Sequence, residues 1–599
     1  MDPFKKISIL FAFVFLTINV GNTQTVATTL DATVRDVSDV DFGFNRRSDN
    51  GTWWTDNSFI NLVSEMNPDV VRYPGGTQAN YWDWQEGKFL DNTDKTWNNK
   101  EVLKIPGFVA ALPSRTKIVY VVNMARPTPA TGVSVTASEE ILKSDATLHL
   151  KIADMIYALD KFEEEGKLPY AVELGNEFYF GNEESGIFHI VENGGFFYSG
   201  WDSANDTPFQ SLNKKDATDI NAQFYLRQCK TIVTEIRNDY PNMKFALTTT
   251  KSGNGTSVRE RWNNTIFDNL ANNSEFTSLK PYVYAVTQHH YLNDNYGVQT
   301  VITDNATAKV AIAEGIQYPI DKQADYTMVP YDYKIWYTEY GEVKGIAEET
   351  WADAVRYAAL NYSWLERGDK VNQLDFHYIS DNTVVKVESP MRLAPVGIAT
   401  KLFMTAFAEM TEMQRINFGT NPISVNGVES LFGYKFKNGT KETLLIININ
   451  NTNFTDVQIG NLLSYSGSQT LTQYSSVAPY VSGVAEGDSN ILSINSNITD
   501  TFNARRFSIS VIEVNNTLSN NDFNQNNVSI YPNPVKDVLT IETNNTLKGV
   551  SVYNINGSRV FDIKNVSSKI IDLSTLNSGM YILKIETNET TEYKRLIKK

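Results

Sequence analysis

Two glutamates stand where apolar, strand-like runs stop. Glu177 ends Tyr170-Ala-Val-Glu-Leu-Gly-Asn-Glu177, and Glu339 falls late in Tyr333-Lys-Ile-Trp-Tyr-Thr-Glu339-Tyr-Gly341. Two carboxyl groups of unlike protonation can open a glycosidic acetal: the protonated one releases the leaving oxygen while the ionised one attacks the anomeric carbon. When configuration is retained, the two lie ~5–5.5 Å apart. Repulsion between close carboxylates raises one pKa, which keeps the acid protonated near neutral pH. Asn-Glu alone is a weak signal, because Gly-Asn-Glu recurs at Gly181 to Glu183. Of the two Asn-Glu steps only the one at Glu177 follows a strand-like run, so Glu177 and Glu339 are the expected catalytic pair.

Acids so distant along the chain must be brought together by the fold. From about residue 32 to 400, apolar β-type runs alternate with helical patterns, the mark of parallel strands joined by crossover helices. Eight such runs are Val40 to Asn45, Asp69 to Tyr73, Lys117 to Asn123, Tyr170 to Gly175, Lys244 to Thr249, Val283 to His289, Lys334 to Thr338 and Gln373 to Tyr378. Eight units predict an α/β fold, a (β/α)₈ TIM barrel over 25–404, in which side chains at the carboxyl ends of the strands converge on one face.

Other residues belong to the same rim. Strand two reads Val70-Val-Arg-Tyr-Pro-Gly-Gly-Thr77, then Asn80-Tyr-Trp-Asp-Trp84. Arg72 is placed to orient Glu177 or Glu339 through charge-assisted hydrogen bonds, or simply to cap the barrel end. Strand six ends Thr287-Gln-His-His-Tyr291 and strand eight Asp375-Phe-His377-Tyr378, so three of the chain's five histidines, His289, His290 and His377, fall at the expected catalytic mouth, with His377 on the substrate face. No metal or other cofactor is expected, because these histidines have no partner at ligand spacing and two carboxyls need no ion. Sugar rings pack on aromatic side chains, and Trp82, Trp84, Trp336 and Tyr340 are expected beside the site. The loop Phe178 to Phe209 adds Phe196, Phe197, Tyr198 and Trp201 as a subsite wall.

The formal charge of −16 argues against a nucleic-acid partner. Lys5 and Lys6 precede the apolar run Ile7 to Val20, which reads as a signal peptide over 1–24, with no transmembrane segment after its removal. Cys229 is the single cysteine, so no intrachain disulfide forms; it lies in an apolar-periodic helix and reads as a buried thiol. After about Met404 the runs become short, alternating and punctuated by Gly, Asn and Ser, predicting a β-sandwich accessory domain over 405–514. An Asn-rich linker over 515–527 leads to a last small β-sandwich over 528–599.

The pairing of Asn176-Glu177 after strand four with Glu339 at the end of strand seven resembles glycoside hydrolase clan A. The strand-two segment is similar to that of the family 51 arabinofuranosidases, with families 79 and 39 as further relatives. The resemblance implies that Glu177 is the general acid/base and Glu339 the nucleophile, that Asn176 binds the sugar's 2-hydroxyl, and that His290 or Tyr291 contacts the nucleophile, which of them depending on a one-residue register. The last module, with Tyr531-Pro-Asn-Pro534 and Gly579-Met-Tyr-Ile582, resembles the type IX secretion sorting domain of Bacteroidota. That implies a type IX translocon as partner through 528–599, and a secreted or outer-membrane-attached protein. The expectation is a retaining glycoside hydrolase acting on a plant or algal poly- or oligosaccharide. The alternatives are a non-catalytic glycan-binding surface protein or a transglycosylase using the same acids.

Overall fold

Eight parallel strands close into a barrel in the order of the chain: β1 (Asp41–Asn45), β2 (Val70–Tyr73), β3 (Lys117–Val121), β4 (Ala171–Leu174), β5 (Lys244–Thr248), β6 (Val283–Tyr291), β7 (Lys334–Gly341) and β8 (Val371–His377). They coincide with the eight apolar runs of the sequence. This computed structural model describes residues 25–46, 53–76, 79, 82–83, 88–89, 104–124, 152–180, 191–192, 195–196, 214–251, 258–292, 300–341, 349–379, 382–464, 469–514, 528–543, 545–554, 556–564, 566, 568–588 and 591–599. The expected signal peptide and linker lie outside the described residues.

Each strand is followed by a helix: α1 (Asn57–Met66), α2 (Ile105–Ala111), α3 (Ile152–Glu164), α4 (Lys214–Asp239), α5 (Val258–Asn272), α6 (Asn305–Asp321), α7 (Trp351–Leu365) and α8 (Pro395–Phe407). The first shows how sequence sets the boundaries. Asp56 caps α1 by accepting from the Ser58 N–H at 2.7 Å, the spacing of Phe59, Val63 and Met66 gives one buried face, and Asn67 ends it in the left-handed region at φ 49°. Cys229 is buried in α4, and burial pushes its thiol up.

Alternation along the strands divides the core. Outward residues such as Phe42, Tyr73 and Tyr120 pack under the helices; Phe42 meets Phe403 of α8 with ring centroids 4.5 Å apart. Inward, Val70, Val119, Ala171, Ala246 and Ala285 form a small cluster with Trp336. Three alanines leave the room that one indole fills, and Trp336 Nε1 donates to Asn372 Oδ1 at 3.0 Å. The barrel is therefore packed below and polar above.

The accessory β-domain draws on both sides of the barrel in sequence. Thr28–Leu30 pairs antiparallel with Glu412–Phe418, and the sheet continues through Leu431–Asn438, Lys441–Asn448, Ser508–Val514, Gln469–Ser475 and Leu492–Ile498. Phe454–Gln458 pairs with Thr501–Ala504 across a core that includes Leu444, Ile446, Val457 and Phe502. Trp351 of α7 donates its Nε1 to the Phe507 carbonyl at 2.6 Å, fastening barrel to sheet.

Residues 516–599 form a separate unit. Three strands (Ser529–Tyr531, Val538–Glu542, Ile570–Asp572) and four more (Arg559–Lys564, Leu547–Asn554, Gly579–Thr587, Thr591–Lys598) enclose Leu539, Ile541, Val550, Leu583 and Leu596. Asn533, between the two prolines of the Tyr-Pro-Asn-Pro motif, mimics a strand. Its Nδ2 donates to the Arg595 carbonyl at 2.8 Å and its Oδ1 accepts from Ile597 N–H at 2.9 Å.

Barrel closure depends on a missing side chain at Gly43, where a Cβ would sit 1.9 Å from the Val70 carbonyl oxygen of the neighbouring strand. Gly43→Ala is expected to cost at least about 1–3 kcal/mol, the usual scale of overpacking. A parental denaturation midpoint for this variant would show that β1 and β2 can part freely.

Candidate active site

Alternation aims the strand ends of β2, β4, β6 and β8 into the barrel mouth. Arg72 on β2, Glu173 on β4, His289 and Tyr291 on β6, and Asp375 and His377 on β8 all follow inward-facing positions of their strands. Strand seven breaks the rule. From inward Trp336, strict alternation would turn Glu339 outward. Between the pairs Thr287↔Trp336 and His289↔Glu339, β7 advances three residues while β6 advances two. This β-bulge restores Glu339 to the interior, a common use of bulges beside functional sites.

Arg72 is fully buried and sits at the centre. Its Nε and Nη2 donate to Glu173 at 2.5 and 2.9 Å, its Nη2 also to Asn176 Oδ1 at 2.7 Å, and its Nη1 to Glu339 Oε1 at 2.8 Å and to Asn45 Oδ1 at 3.2 Å. The guanidinium's five N–H groups thus meet five acceptor contacts. Burial alone would lower its pKa, but the carboxylates of Glu173 and Glu339 raise it. Of the two glutamates Arg72 was expected to orient, it holds Glu339.

Glu339 is buried, and that would push its carboxyl up. The fields of His289, His377 and Arg72, with a hydrogen bond from Tyr291, outweigh burial and hold it at about 2. The Tyr291 hydroxyl donates to Oε2; burial, then Glu339 and Glu177, raise this phenol far above its ordinary value, so it stays a donor. His377 Nδ1 lies 3.4 Å from Oε2 and 3.0 Å from Asn45 Nδ2.

Glu177 faces Glu339. It adopts a left-handed backbone at φ 53°, and its Oε1 accepts from Tyr179 at 3.0 Å and pairs with His289 Nδ1 at 2.8 Å. The same His289 nitrogen lies 3.6 Å from Glu339 Oε2. Burial lowers the pKa of this imidazole, but Glu339 and Glu177 raise it more, and the net shift is upward. One oxygen of each carboxylate and one His289 nitrogen lie within 4.8 Å of one another. Such a trio could also ligate a metal ion, yet Glu339 is bound to a guanidinium, whose positive charge opposes a cation there.

Close approach at this rim requires glycine. A Cβ on Gly75, at φ +79°, would lie 2.1 Å from Asn45 Oδ1, and Gly76 beside it holds a left-handed backbone at φ +66°.

The remaining expected residues divide. Asn176, Arg72, Tyr291 and His377 join the cluster, whereas His290 points the other way. His290 is buried behind the strand, with Nδ1 3.3 Å from the Tyr318 hydroxyl and its ring 4.6 Å from that of Tyr337. Burial holds its pKa well below the usual imidazole value. Two aromatic expectations are corrected. Trp336 plugs the barrel interior and Tyr340 lies behind it, its hydroxyl donating to Asn361 Oδ1 at 2.7 Å. Trp82 lies on a two-residue strand paired with Lys88–Phe89; its side chain, Trp84, Phe197, Tyr198, Trp201 and the side chain of Phe196 lie outside the described residues.

Sequence reading overlooked Glu173, Asn45, Tyr179 and Asp375, and placed His289 at the mouth without giving it a role. Period-two spacing from Glu177 back to Glu173, and from Tyr291 back to His289, was the signal available for two of them. Asp375 shares the barrel interior with Arg72. Burial raises its carboxyl well above the usual range even though Gln373 donates to Oδ2 at 2.6 Å.

Residues 529–599 match the family model for a secretion system C-terminal sorting domain. The protein is accordingly secreted or held at the cell surface, and among the described residues no helix is long and apolar enough to cross a membrane. No curated protein matches the chain. Among solved structures, it is similar to the GH51 arabinofuranosidase of Xanthomonas axonopodis pv. citri, with TM-score 0.54 and 11% identity over 82% of this chain and 99% of that one. It is also similar to the α-L-arabinofuranosidase of Thermotoga maritima in its arabinose complex, with TM-score 0.52 and 15% identity over 82% of this chain and 100% of that one. The GH51 α-L-arabinofuranosidase of Thermotoga petrophila RKU-1 has TM-score 0.52 and 13% identity over the same shares. At these identities the likeness is one of fold: a TIM barrel with an attached β-domain.

Removing Arg72 would leave Glu173 and Glu339 buried without their counter-charge. Arg72→Met is expected to destabilise the barrel by about 3–5 kcal/mol, as broken buried ion pairs do. Chemical denaturation followed by tryptophan fluorescence measures this, and an unchanged midpoint would contradict the central role given to the guanidinium.

Proposed function

We propose that the barrel is a retaining glycoside hydrolase, with Glu339 as nucleophile and Glu177 as acid/base. The observation that carries this reading is the approach of the two carboxylates to within 4.8 Å at the carboxyl ends of β4 and β7, near the ~5–5.5 Å of retaining enzymes. It also argues against a barrel kept only for capture, which has no need of facing acids.

In the proposed cycle, Glu339 Oε2 attacks the anomeric carbon and forms a glycosyl ester, while Glu177 gives its proton to the departing oxygen. Water then attacks the same carbon, Glu177 takes its proton, and Glu339 leaves as a carboxylate. The environment of Glu339 suits the second half in particular: a carboxylate held at about 2 is a good leaving group. His289, 2.8 Å from Glu177, is placed to share the proton that Glu177 must give and recover. Arg72 fixes which way the Asn176 amide faces, which supports a role for its Nδ2 in binding the sugar's 2-hydroxyl. The substrate is proposed to be a plant or algal glycan, with arabinofuranosides tried first alongside xylosides, glucuronides and galactans. A transglycosylase would use the same acids and differ in preferring a sugar acceptor to water. The last unit is proposed to engage a type IX translocon.

Glu177→Gln is expected to lower turnover by about 10²–10⁴-fold, with less loss on aryl glycosides whose leaving group needs no proton. Glu339→Gln is expected to abolish it, and the product first released by the parent should keep the anomeric configuration of the substrate. Parental turnover in both variants across the panel would refute the assignment.

The pH profile follows from the charges around Glu339. Its pKa is depressed, so the carboxylate stays ionised down to about pH 2. Its contribution to folding is fully present above the ordinary carboxylate range and is lost only as pH falls towards that value. The acid limb of kcat/KM is therefore expected below the ordinary carboxylate range. His289→Asn, which removes one of the cations facing Glu339, should move that limb upward; a limb that stays in place would show that His289 carries no charge there.

A further inference from the structure

At the opposite end of the barrel, a cavity of ≈370 Å³ opens at the first residues of β5, β6 and β7. That volume falls in the ~300–1,000 Å³ range of small-ligand sites. Arg237, Lys244, Tyr282, Tyr284, Tyr331 and Lys334 are among its lining residues. All lie at the amino-terminal face, so the cavity is separate from the glutamate pair.

Its charge runs against that of the chain. The sequence carries −16, yet Arg237 and Lys244 have no carboxylate partner among the described residues. Arg237 rests 3.6 Å over the ring of Tyr282, and the Lys244 ammonium 4.2 Å over that of Tyr284. A ring face holds a cation in place without using its directed N–H bonds, so both remain donors towards a ligand. Other charges here are matched within the protein: Lys334 pairs with Asp39 at 2.9 Å and Lys280 with Asp332 at 2.8 Å. Beside the two cations, Tyr331 is 84% exposed with the Lys370 ammonium 4.0 Å from its ring. So exposed a ring has a face open to solvent, suited to the C–H face of a sugar.

We propose that this cavity is a second glycan-binding site, selective for an acidic oligosaccharide. A uronate carboxylate or a sulfate ester would be held by Arg237 and Lys244 while a sugar ring packs on Tyr331. A neutral glycan would leave the two cations unmatched, and nucleic acid is disfavoured by the charge of the whole chain. Because this face lies at the other end of the barrel from the facing glutamates, a strand bound here leaves the barrel mouth open. The site would keep the protein on an acidic matrix while the barrel mouth works elsewhere.

The inference does not rest on the hydrolase reading, and its test measures binding alone. The full-length chain carrying Glu339→Gln is run by affinity electrophoresis in gels containing polygalacturonate or alginate (carboxylates), a sulfated galactan (sulfate esters), or neutral arabinan and xylan. Retardation is expected in at least one acidic gel, weakening with salt, and not in the neutral ones; the acidic gel that retards identifies the anionic group. Arg237→Gln and Lys244→Met keep much of each side-chain stem and should each weaken binding about tenfold, the scale of one charge-assisted hydrogen bond. Tyr331→Ala, at an exposed position that folding does not need, should weaken it several-fold. No retardation in any acidic gel, equal retardation in neutral gels, or unchanged retardation in all three folded variants would overturn the proposal.

Discussion

A single buried guanidinium organises the upper half of this barrel. Arg72 reaches Glu173 on β4, Asn176 just past β4, Glu339 on β7 and Asn45 on β1, so four residues from three other chain segments share one cation. Ionised groups can be buried without loss only when every donor and acceptor is matched, and here five N–H groups have five acceptor contacts. Glu173 grips the guanidinium from below through two nitrogens, leaving Nη1 aimed at Glu339. The position of the proposed nucleophile is thus set by a residue that does not itself face the open rim.

That arrangement also sorts the acids of the barrel by charge state. Glu339 has cations and a phenol around it and stays ionised, while Asp375, in the same interior, is pushed towards its neutral form by burial. Both are carboxyl groups within one barrel; only their neighbours differ. His289 joins the two halves of the site, because a single ring nitrogen approaches both facing glutamates. Charge on one of the three groups therefore bears on the other two.

The packing below makes this possible. Trp336, set among three alanines, closes the interior beneath the polar layer, so the charged groups rest on an apolar floor. In such surroundings hydrogen bonds and charges act more strongly than in water. The β-domain and the sorting unit contribute no side chain to the described cluster; the match of the latter to a secretion sorting domain ties it to export.

Period-two and helical spacing made eight strands and their crossover helices legible in sequence, because those patterns report burial directly. Placement of Asn176-Glu177 and Glu339 at strand ends followed from the same runs, as did the sorting unit from its Tyr-Pro-Asn-Pro and Gly-Met-Tyr-Ile motifs. The direction in which particular side chains face was decided only by the folded chain. Alternation is interrupted in β7 by a bulge that turns Glu339 inward, and in β6 the inward set is His289 and Tyr291, with His290 behind. A one-residue shift reverses every side chain in a strand, and it is set by pairing with neighbours rather than by the residues themselves. For the same reason Glu173 could not be recognised as the partner of Arg72: the two meet only because β2 and β4 close into one barrel, and nothing in linear spacing encodes that contact.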